Sequence, residues 1–304
     1  MCGSGKTEIS LQVIQYAINC GENVAFAVPR KDVVIELHSR LSNIFKKNKV
    51  IAVYGGHHDD IFGDLVVLTT HQLYRYKKYF SLIILDEIDA FPFKNNKVLE
   101  NMFFNSLCGH YVMMSATPSQ ELIKHFQGSN KEMLRLDTRF HRHPLPIPKL
   151  IINRTFAIYF ELFRYVKQFL KEDKPLFVFA PTIEECENLY FLLKFMFKGG
   201  ECVHSKREQR SEIINRFRKG RYRYLVTTSV LERGVTVKNL QVIVFNSHHS
   251  VYDEGTLVQI AGRVGRKIDA PEGEVIFIGK KKTTAMERAR ENIINSNKAL
   301  QNML

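Results

Sequence analysis

The chain has 304 residues, 45% of them hydrophobic, so it can bury a sizeable core, and its length indicates two domains of ordinary size. Its 44 lysines and arginines outnumber its 31 aspartates and glutamates, and the formal charge of +13 disfavours acidic partners and favours polyanions such as nucleic acid. The five cysteines are widely spaced without a CxxC pair, which argues against a zinc ribbon and predicts reduced thiols.

No apolar run reaches the roughly 18 residues that a membrane-spanning helix needs, and Met1 leads into a loop rather than a signal peptide. We therefore expect a soluble, cytoplasmic protein without a membrane span.

Apolar strands and helical patterns alternate along the first half of the chain. The runs NVAFAV, VIAVYG, DLVVLT, LIILDE and YVMMSA are short and rich in β-branched residues, which is typical of strands buried in a parallel sheet. Between them, KTEISLQVIQYAINCG and KDVVIELHSRLSNIFKK carry apolar residues at helical spacing. This order predicts an α/β domain over residues 1–143.

A proline-containing segment, RFHRHPLPIPK, follows this first half. Its prolines remove backbone donors and favour an extended chain, so we place the domain boundary between residues 143 and 144. Beyond it, PLFVFAP, RYLVTTS, LQVIVFN and EVIFIG alternate with helical patterns such as TIEECENLYFLLKFMFK and REQRSEIINRFRKG. Residues 144–304 are predicted to form a second α/β domain that ends in a basic, exposed helix.

The sequence GSGKT has the composition of a phosphate-binding loop. Glycines let backbone N–H groups approach phosphate oxygens, a lysine adds positive charge, and a threonine can coordinate magnesium. The complete pattern has a further glycine upstream, which this chain does not contain, so the prediction depends on the motifs that follow. The predicted phosphate-binding residues are Gly3, Ser4, Gly5, Lys6 and Thr7, of which Thr7 can also coordinate Mg²⁺.

Two later motifs come directly after predicted strands. LIILDEID places Asp86 and Glu87 where one carboxylate can hold magnesium and the other can orient an attacking water. MMSATP places Ser115 and Thr117 after the next strand, where their hydroxyl groups can link the phosphate site to neighbouring loops.

A third motif, LVQIAGRVGRK, lies in the second half. It offers Gln259, Arg263 and Arg266 at one-turn spacing. We expect the guanidinium groups to reach into a cleft between the two domains and to stabilise charge on a transferring phosphoryl group.

The order of these motifs, together with PRKDVVIEL, TTHQL and LVTTSVLERGVTV, resembles that of superfamily 2 helicases. More closely, TTHQLYRYKKYFSLIILDEIDAFPF, RFHRHPLPIPK and QIAGRVGRKIDAPEGEVIFI are similar to the ComFA family, late-competence ATPases that help pull transforming single-stranded DNA into bacteria. The similarity covers nearly the whole chain. It implies an α/β fold of two tandem RecA-like domains, each a mostly parallel sheet flanked by helices, and an ATP-dependent DNA helicase or translocase.

The resemblance also assigns roles to matching positions. Lys6 and Thr7 would hold the phosphates and magnesium, Asp86 would support that ion, and Glu87 would activate water. Arg263 and Arg266 would act as arginine fingers, and Gln259 would lie near the γ-phosphate. Ser115 and Thr117 would couple hydrolysis to domain movement. DNA contacts are implied at Pro29, Arg30, Thr70, His71, Gln72, Thr182, His204, Thr228, Glu232, Arg233 and Gly234.

The partners implied are single-stranded DNA, other competence proteins and a membrane DNA-uptake channel, at which the protein would associate peripherally with the inner face of the cell membrane. Two alternatives stay open. One is a nonhydrolytic nucleic-acid-binding remnant of such a helicase, and the other is an RNA helicase of related architecture.

Family members carry, ahead of the phosphate-binding loop, a region with paired cysteines resembling a zinc site, an adenine-contacting segment and the strand that leads into the loop. None of these precedes GSGKT here, so we expect no zinc in this chain and a first domain without that strand. Its loss is expected to leave two neighbouring strands with unpaired backbone groups, at about 1–3 kcal/mol for each buried group. Nucleotide binding should then be weaker than in full-length relatives.

Four further segments have both a structural and a functional interpretation. LYRYKKYF is expected to be a solvated loop, with a stacking platform for single strands as the alternative. FLLKFMF is expected to pack in the core, because aromatics at helical spacing usually do. HHDD at 57–60 is interpreted as a polar loop rather than a metal site. KKK at 280–282 is interpreted as a solvated cluster, with an auxiliary DNA contact as the alternative.

Overall fold

The structure is a computed structural model that describes residues 5–57, 60–88, 96–115, 132, 134, 143–229 and 235–301. The chain divides into two compact units, Gly5–Leu134 and Arg135–Leu304, called here the N-terminal and C-terminal units. The boundary placed between residues 143 and 144 stays a prediction. Within the described part of the chain, no helix has the length and apolar content that crossing a bilayer requires.

The N-terminal unit is built around a parallel sheet. Its elements are α1 (Lys6–Asn19), β1 (Val24–Val28), α2 (Lys31–Ile44), β2 (Val50–Val53), β3 (Leu65–Thr69), a 3-10 helix (Thr70–Arg75), β4 (Phe80–Asp86), α3 (Lys97–Ser106) and β5 (Leu107–Met114). The strand order is β2-β3-β1-β4-β5, and every neighbouring pair is parallel. All five predicted strands of the first half are present.

Both faces of this sheet are covered, which explains why β1 and β3 are buried along their whole length. Alternate residues of β1 point to opposite faces. Phe26 packs with Ile14 of α1 and Val34 of α2, whereas Ala27 belongs to the cluster that contains Leu73 of the 3-10 helix and Phe103 of α3. The continuous apolar runs in the sequence therefore correspond to a sheet sandwiched between helices.

The strand order corrects one expectation. Among the described residues no strand precedes α1, but the sheet is continuous because β4 pairs with β1 on one side and with β5 on the other. The described sheet therefore has no gap between two strands, and the expectation of unpaired backbone groups applies at that end to a single described strand, β5. β5 is its outermost strand at that end, and Cys108–His110 in β5 are exposed.

The C-terminal unit repeats this plan. Its elements are β6 (Lys149–Ile152), α4 (Ala157–Lys171), β7 (Leu176–Phe179), α5 (Ile183–Met196), β8 (Gly200–Val203), α6 (Arg210–Arg218), β9 (Tyr224–Thr227), β10 (Gln241–Phe245), α7 (Glu254–Ala261), β11 (Val275–Gly279) and α8 (Thr284–Gln301). The order is β6-β11-β10-β7-β9-β8, again parallel throughout. β6 and β8 were not predicted, because these edge strands, KLII and GECV, begin with a polar residue or glycine and lack the longer apolar run that marked the other strands.

Side chains of α4 and α5 pack on one face of this second sheet, and those of α6, α7 and α8 pack on the other. The terminal helix is therefore not simply exposed, as the sequence suggested. Met286, Ala289 and Ile293 of α8 are buried, and the charged residues of the helix face outward.

The last part of the proline segment packs against the C-terminal unit and is not a free spacer. Leu145 is buried, and its backbone is held by Asn297 of α8. The Leu145 N–H donates to Asn297 Oδ1, and Asn297 Nδ2 donates to the Leu145 carbonyl, both at 2.8 Å. The chain from Leu145 onward thus belongs structurally to the C-terminal unit.

The core interpretation of FLLKFMF is wrong for two of its three aromatic residues, whereas the third, Phe197, packs against the core. Phe191 and Phe195 are 78% and 90% exposed, whereas Leu193 is fully buried. The inward face of α5 is defined by Cys186, Leu189 and Leu193, which leaves both phenylalanines on the solvent side.

The interpretation of LYRYKKYF as a solvated loop is also wrong for two of its aromatic residues. Tyr76 and Phe80 are buried, with ring centroids 4.5 Å apart, and the Tyr76 hydroxyl donates to the Ile61 carbonyl at 2.8 Å. Tyr74 remains exposed, with the guanidinium of Arg75 over its ring.

Two cysteines meet in the core although they are distant in sequence. The Sγ atoms of Cys186 and Cys202 lie 3.4 Å apart, and both side chains are buried. The hydrogen bond with Cys202, together with burial, raises the pKa of the Cys186 thiol. Both are free thiols that pack as small apolar side chains.

Candidate nucleotide and nucleic-acid sites

The phosphate-binding motif lies at the start of α1. Gly5 has a left-handed backbone with φ of 78°, and the helix begins at the next residue, Lys6. The first N–H groups of a helix have no intrahelical acceptor and form the positive end of the helix dipole, so they favour an anion. Lys6 and Thr7 are partly exposed at this position, while Gly3 and Ser4 lie outside the described residues.

Lys6 and Asp86 form an ion pair across the N-terminal unit. The distance from Lys6 Nζ to Asp86 Oδ1 is 3.5 Å, and each side chain is 19% exposed. Burial and the neighbouring Glu87 raise the pKa of Asp86, while Lys6 opposes that shift. The structure therefore brings together the lysine and the carboxylate that the sequence placed 80 positions apart.

Glu87 has an unusual backbone. Its φ of 61° lies in the left-handed region, which costs a non-glycine residue about 1–3 kcal/mol and is concentrated at functional sites. Its N–H donates to Asp86 Oδ1 at 2.9 Å, and the next N–H, of Ile88, donates to the Met114 carbonyl at 3.3 Å. These bonds join the end of β4 to the end of β5, immediately before Ser115. Thr117 lies outside the described residues.

These residues suit magnesium bound together with a nucleotide. No group of three or more His, Cys, Asp or Glu residues surrounds a metal position within the part of the chain that the structure describes. Mg²⁺ is usually held by one or two carboxylates with waters and substrate phosphates, and Asp86 beside Lys6 provides one such carboxylate next to a cation that suits phosphate.

The predicted DNA contacts of the N-terminal unit lie at the same edge of its sheet as Asp86. Pro29 and Arg30 follow β1, and Thr70, His71 and Gln72 follow β3 as the first turn of the 3-10 helix. The carboxyl ends of parallel neighbours meet at one edge, and the order β3-β1-β4 makes these strands adjacent. His71 is exposed and Thr70 is buried.

The corresponding contacts of the C-terminal unit follow β7, β8 and β9. The Thr182 hydroxyl accepts the N–H of Glu185 at 3.1 Å and thereby caps α5. His204 is buried, with Nε2 at 3.1 Å from the Glu187 carboxylate, and Thr228 is buried as well. Thr182 thus has a structural role in addition to its predicted one, whereas neither ring nitrogen of the buried His204 makes a hydrogen bond in the described part of the chain. Glu232, Arg233 and Gly234 lie outside the described residues.

The arginine motif does not continue the helical spacing that the sequence indicated, because α7 ends at Ala261. Arg263 is buried and donates to the Val235 carbonyl at 3.0 Å within its own unit. Arg266 is partly exposed, and its Nε donates to the Gly262 carbonyl at 3.1 Å. Gln259, on α7, is buried.

Sequence reasoning missed two polar residues at the carboxyl end of β10. Asn246 has φ of 50°, and its Nδ2 donates to Glu185 Oε2 at 2.8 Å. His248 Nδ1 accepts the N–H of Lys280 at 3.3 Å, and burial, Lys280 and Lys281 lower the pKa of His248. The run FNSHHS, polar directly after an apolar strand, was the available signal. Part of the KKK cluster therefore lies at this edge too.

Two protein-family models match the chain. "Helicase conserved C-terminal domain" matches residues 161–267, and "Type III restriction enzyme, res subunit" matches residues 1–120. The first match lies within the C-terminal unit. The second covers most of the N-terminal unit.

Curated relatives match nearly the whole chain. Competence protein ComFA of Bacillus subtilis is 36% identical over 312 residues, covering 98% of this chain and 66% of the relative. ComFA of Streptococcus pneumoniae is 36% identical over 308 residues, covering 97% of this chain and 71% of the relative. The ATP-dependent DNA helicase RecG of Thermotoga maritima is 26% identical over 328 residues. The chain thus spans about two thirds of the length of the first two relatives.

Solved helicase structures share the fold. A single-substitution variant of S. cerevisiae Dbp5, bound to RNA and ADP BeF3, matches with a TM-score of 0.72 and 18% identity over 99% of this chain and 81% of that chain. Lhr of Mycobacterium smegmatis, bound to single-stranded DNA and AMP-PNP, matches with a TM-score of 0.69 and 16% identity over 89% of this chain and 42% of that chain. The predicted pair of RecA-like α/β domains is confirmed.

Proposed function

Because this chain belongs to the ComFA family of helicases, we propose that it is an ATP-driven translocase that moves along single-stranded DNA during DNA uptake. The observation that carries the proposal is the Lys6–Asp86 pair at 3.5 Å, at the edge of a parallel sheet where such folds bind ligands. The basic charge of +13 suits a polyanionic track. Other competence proteins and a membrane uptake channel are the partners that we propose.

Bound MgATP would supply the phosphoryl group and the divalent charge. Lys6 and the first turn of α1 would hold phosphate oxygens, Thr7 and Asp86 would hold the ion, and Glu87 would orient the attacking water. The left-handed backbone of Glu87 fixes the start of its side chain relative to Asp86. Ser115, joined to this region through the Ile88–Met114 hydrogen bond, would sense whether the site is filled.

In the C-terminal unit, the geometry favours Arg266 over Arg263 as the arginine finger. Arg263 is buried on the Val235 carbonyl, so it would fix the loop, whereas Arg266 is the more exposed of the two. Gln259 would support the same loop from α7. In both units, DNA phosphates would be held by backbone amides and hydroxyl groups after the strands, which gives little sequence preference.

The test is the substitution Glu87→Gln, which keeps the size of the side chain and removes its negative charge. We expect ATP turnover stimulated by single-stranded DNA to fall by at least about 100-fold, because positioned acid–base groups contribute factors of that order. A fluorescent-nucleotide titration should show that ATP still binds. Glu100→Gln on the exposed side of α3 is the matched control and should turn over ATP normally. Undiminished turnover in Glu87→Gln would remove Glu87 from this role.

A nonhydrolytic nucleic-acid-binding protein is the second candidate, because β5 is the outermost described strand beside the nucleotide site. A weakened sheet edge would lower nucleotide affinity, and we propose that this affinity is below that of longer relatives. This candidate predicts no DNA-stimulated turnover in the parent chain and DNA binding that ATP does not change. Comparing oligo-dT with oligo-rU as stimulants separates a DNA translocase from an RNA helicase, since a preference requires sensing the 2′-hydroxyl.

A further inference from the structure

The segment RFRKGRYR, residues 216–223, carries five basic residues and no acidic residue, and neither the nucleotide site nor the predicted DNA contacts use it. We call it the basic turn. Its basic side chains, Arg216, Arg218, Lys219, Arg221 and Arg223, are all exposed.

The backbone of the basic turn is fixed. Gly220 has φ of 74° and donates to the Phe217 carbonyl at 2.9 Å, and the N–H of Arg221 donates to the Arg216 carbonyl at 3.0 Å. This pair of bonds is the Schellman arrangement that ends many helices. Phe217 is buried in the core, so the turn is anchored from below while its charges point outward.

The far end of the turn is anchored as well. Arg223 donates to the Leu170 carbonyl, and its N–H bonds to the Gly199 carbonyl at 2.6 Å. A Cβ added at Gly199 would come within 3.2 Å of the Arg223 side chain, so the two segments are in close contact. Guanidinium groups carried on a fixed backbone are well suited to phosphate oxygens.

Helix capping explains part of the charge but not all of it. Cations are favourable in the last turn of a helix, and Arg216 also pairs with Glu212 of the same helix. Arg221 and Arg223 lie beyond the end of α6, where the dipole effect has faded, and of these two Arg223 has a carboxylate nearby, with its Nη2 at 3.8 Å from Asp173 Oδ1. Within the described residues, the side chains of Lys219 and Arg221 make no hydrogen bond or ion pair, so both remain free for a ligand.

The turn lies at the opposite edge of the sheet from the predicted DNA contacts. Arg223 immediately precedes β9, whereas Thr228 immediately follows it. A four-residue strand separates the two edges by about 13 Å. The basic turn is therefore a separate surface and not an extension of the carboxyl-edge contacts.

We infer that the basic turn is a second binding surface for the nucleic-acid backbone. Four of its five cations are arginines, which match phosphate geometry better than lysines do. Its aromatic residues are withdrawn, since Phe217 is buried and Tyr222 packs against the core, so the turn itself offers no apolar group for insertion into a bilayer. A surface of this kind would hold a strand as it enters or leaves the motor.

The double variant Lys219→Gln/Arg221→Gln in the full chain tests this inference. Binding of a fluorescein-labelled 40-nucleotide oligo-dT is measured by anisotropy between about 0.1 and 1 M salt, without nucleotide. Losing two phosphate contacts should reduce the slope of log affinity against log salt by about 1.4. If the affinities of the variant and the parent chain converge at 1 M salt, the variant should bind the DNA about 25-fold more weakly at 0.1 M. Circular dichroism should show unchanged melting, because both side chains are free in solvent.

The matched control is Arg288→Gln/Arg290→Gln, which removes the same charge from two exposed residues of α8. An unchanged slope in the basic-turn variant overturns the inference. An equal loss of DNA affinity in the control variant overturns it too, because the net charge of the chain would then explain the binding. Loss of sedimentation with phosphatidylserine vesicles, with oligo-dT binding intact, overturns it in favour of a membrane surface. Since no ATP is present, failure of the proposed translocase activity would appear separately, as absent DNA-stimulated turnover.

Discussion

Asp86 illustrates how a single side chain can be prepared for a ligand. Burial raises its pKa, and the Lys6 ammonium group at 3.5 Å offsets part of that penalty. A bound divalent cation would favour the charged carboxylate still more, so the ion pair keeps Asp86 compatible with folding until the ligand arrives. The left-handed backbone of the neighbouring Glu87 is also unfavourable by itself, and the surrounding hydrogen bonds maintain it.

Removing Lys6 should therefore destabilise the N-terminal unit even without nucleotide. For Lys6→Met we expect the free energy of unfolding to fall by about 1–3 kcal/mol, because Asp86 loses its partner while its side chain stays mostly buried. The double variant Lys6→Met/Asp86→Asn should recover most of this loss. Chemical denaturation followed by circular dichroism measures both.

The exposed residue Lys46 provides the control for that pair of variants. Lys46→Met should leave the denaturation midpoint within about 0.5 kcal/mol of the parent chain. If Lys6→Met and Lys46→Met behave alike, the Lys6–Asp86 pair makes no net contribution, and the idea that it prepares the site is wrong.

At the scale of elements, parallel strands bring the polar motifs together. Several polar motifs follow a strand, so the carboxyl edge of each sheet gathers residues that are far apart in the chain, such as Asn246 after β10 with Glu185 of α5. The ion pair with Asp86 brings Lys6, at the start of α1, to the same edge of the first sheet. The opposite edge of the second sheet carries the basic turn. The second sheet thus has predicted DNA contacts at the carboxyl ends of its strands and the basic turn at the opposite edge, separated by the length of a strand.

A second consequence at this scale concerns the segment that enters the C-terminal unit. Replacing Asn297 by alanine removes both hydrogen bonds to the Leu145 backbone and leaves a partly buried N–H and carbonyl without their partner. We expect a loss of about 1–3 kcal/mol in the stability of this unit. The measurement is denaturant unfolding, with protease susceptibility near Leu145 as a local readout.

Asn295→Ala, two positions away on the exposed side of α8, is the control for this substitution. It should change neither stability nor cleavage by more than the experimental error. Equal cleavage of the two variants would show that Asn297 does not hold the segment in solution.

At the scale of the whole molecule, the proposed motor requires residues from both units for ATP hydrolysis. The N-terminal unit carries the phosphate-binding residues, and the C-terminal unit carries the candidate arginines. The two arginines of this motif differ in their surroundings, because Arg263 is buried on a backbone carbonyl and Arg266 is more exposed. Their substitution should therefore have different effects.

For Arg266→Ala we expect DNA-stimulated ATP turnover to fall by about 1000-fold with unchanged stability, as for loss of an arginine finger. For Arg263→Ala we expect the C-terminal unit to lose about 1–3 kcal/mol of stability, because the Val235 carbonyl loses its donor. Steady-state turnover and thermal unfolding are measured on both variants. A stable, inactive Arg263→Ala together with a fully active Arg266→Ala would reverse the assignment.

The sequence by itself determined which segments form the buried strands and which polar motifs follow them along the chain. A strand buried on both faces must be apolar throughout, so β1, β3, β4 and β10 appear as continuous runs, and the residues after them can be assigned to one edge of a parallel sheet. Asp86 and Glu87 were found in this way. The short edge strands β6 and β8 leave too little pattern to be recognised.

Tertiary structure decided which way individual side chains face and which distant residues meet. Phe191 and Phe195 lie on the solvent side of α5 because Cys186, Leu189 and Leu193 occupy the inward face. The bonds of Arg263 to Val235 and of Asn297 to Leu145 link residues that no local period connects. A sequence pattern reports what lies three or four residues away on a helix or two on a strand, whereas these contacts depend on how whole elements pack.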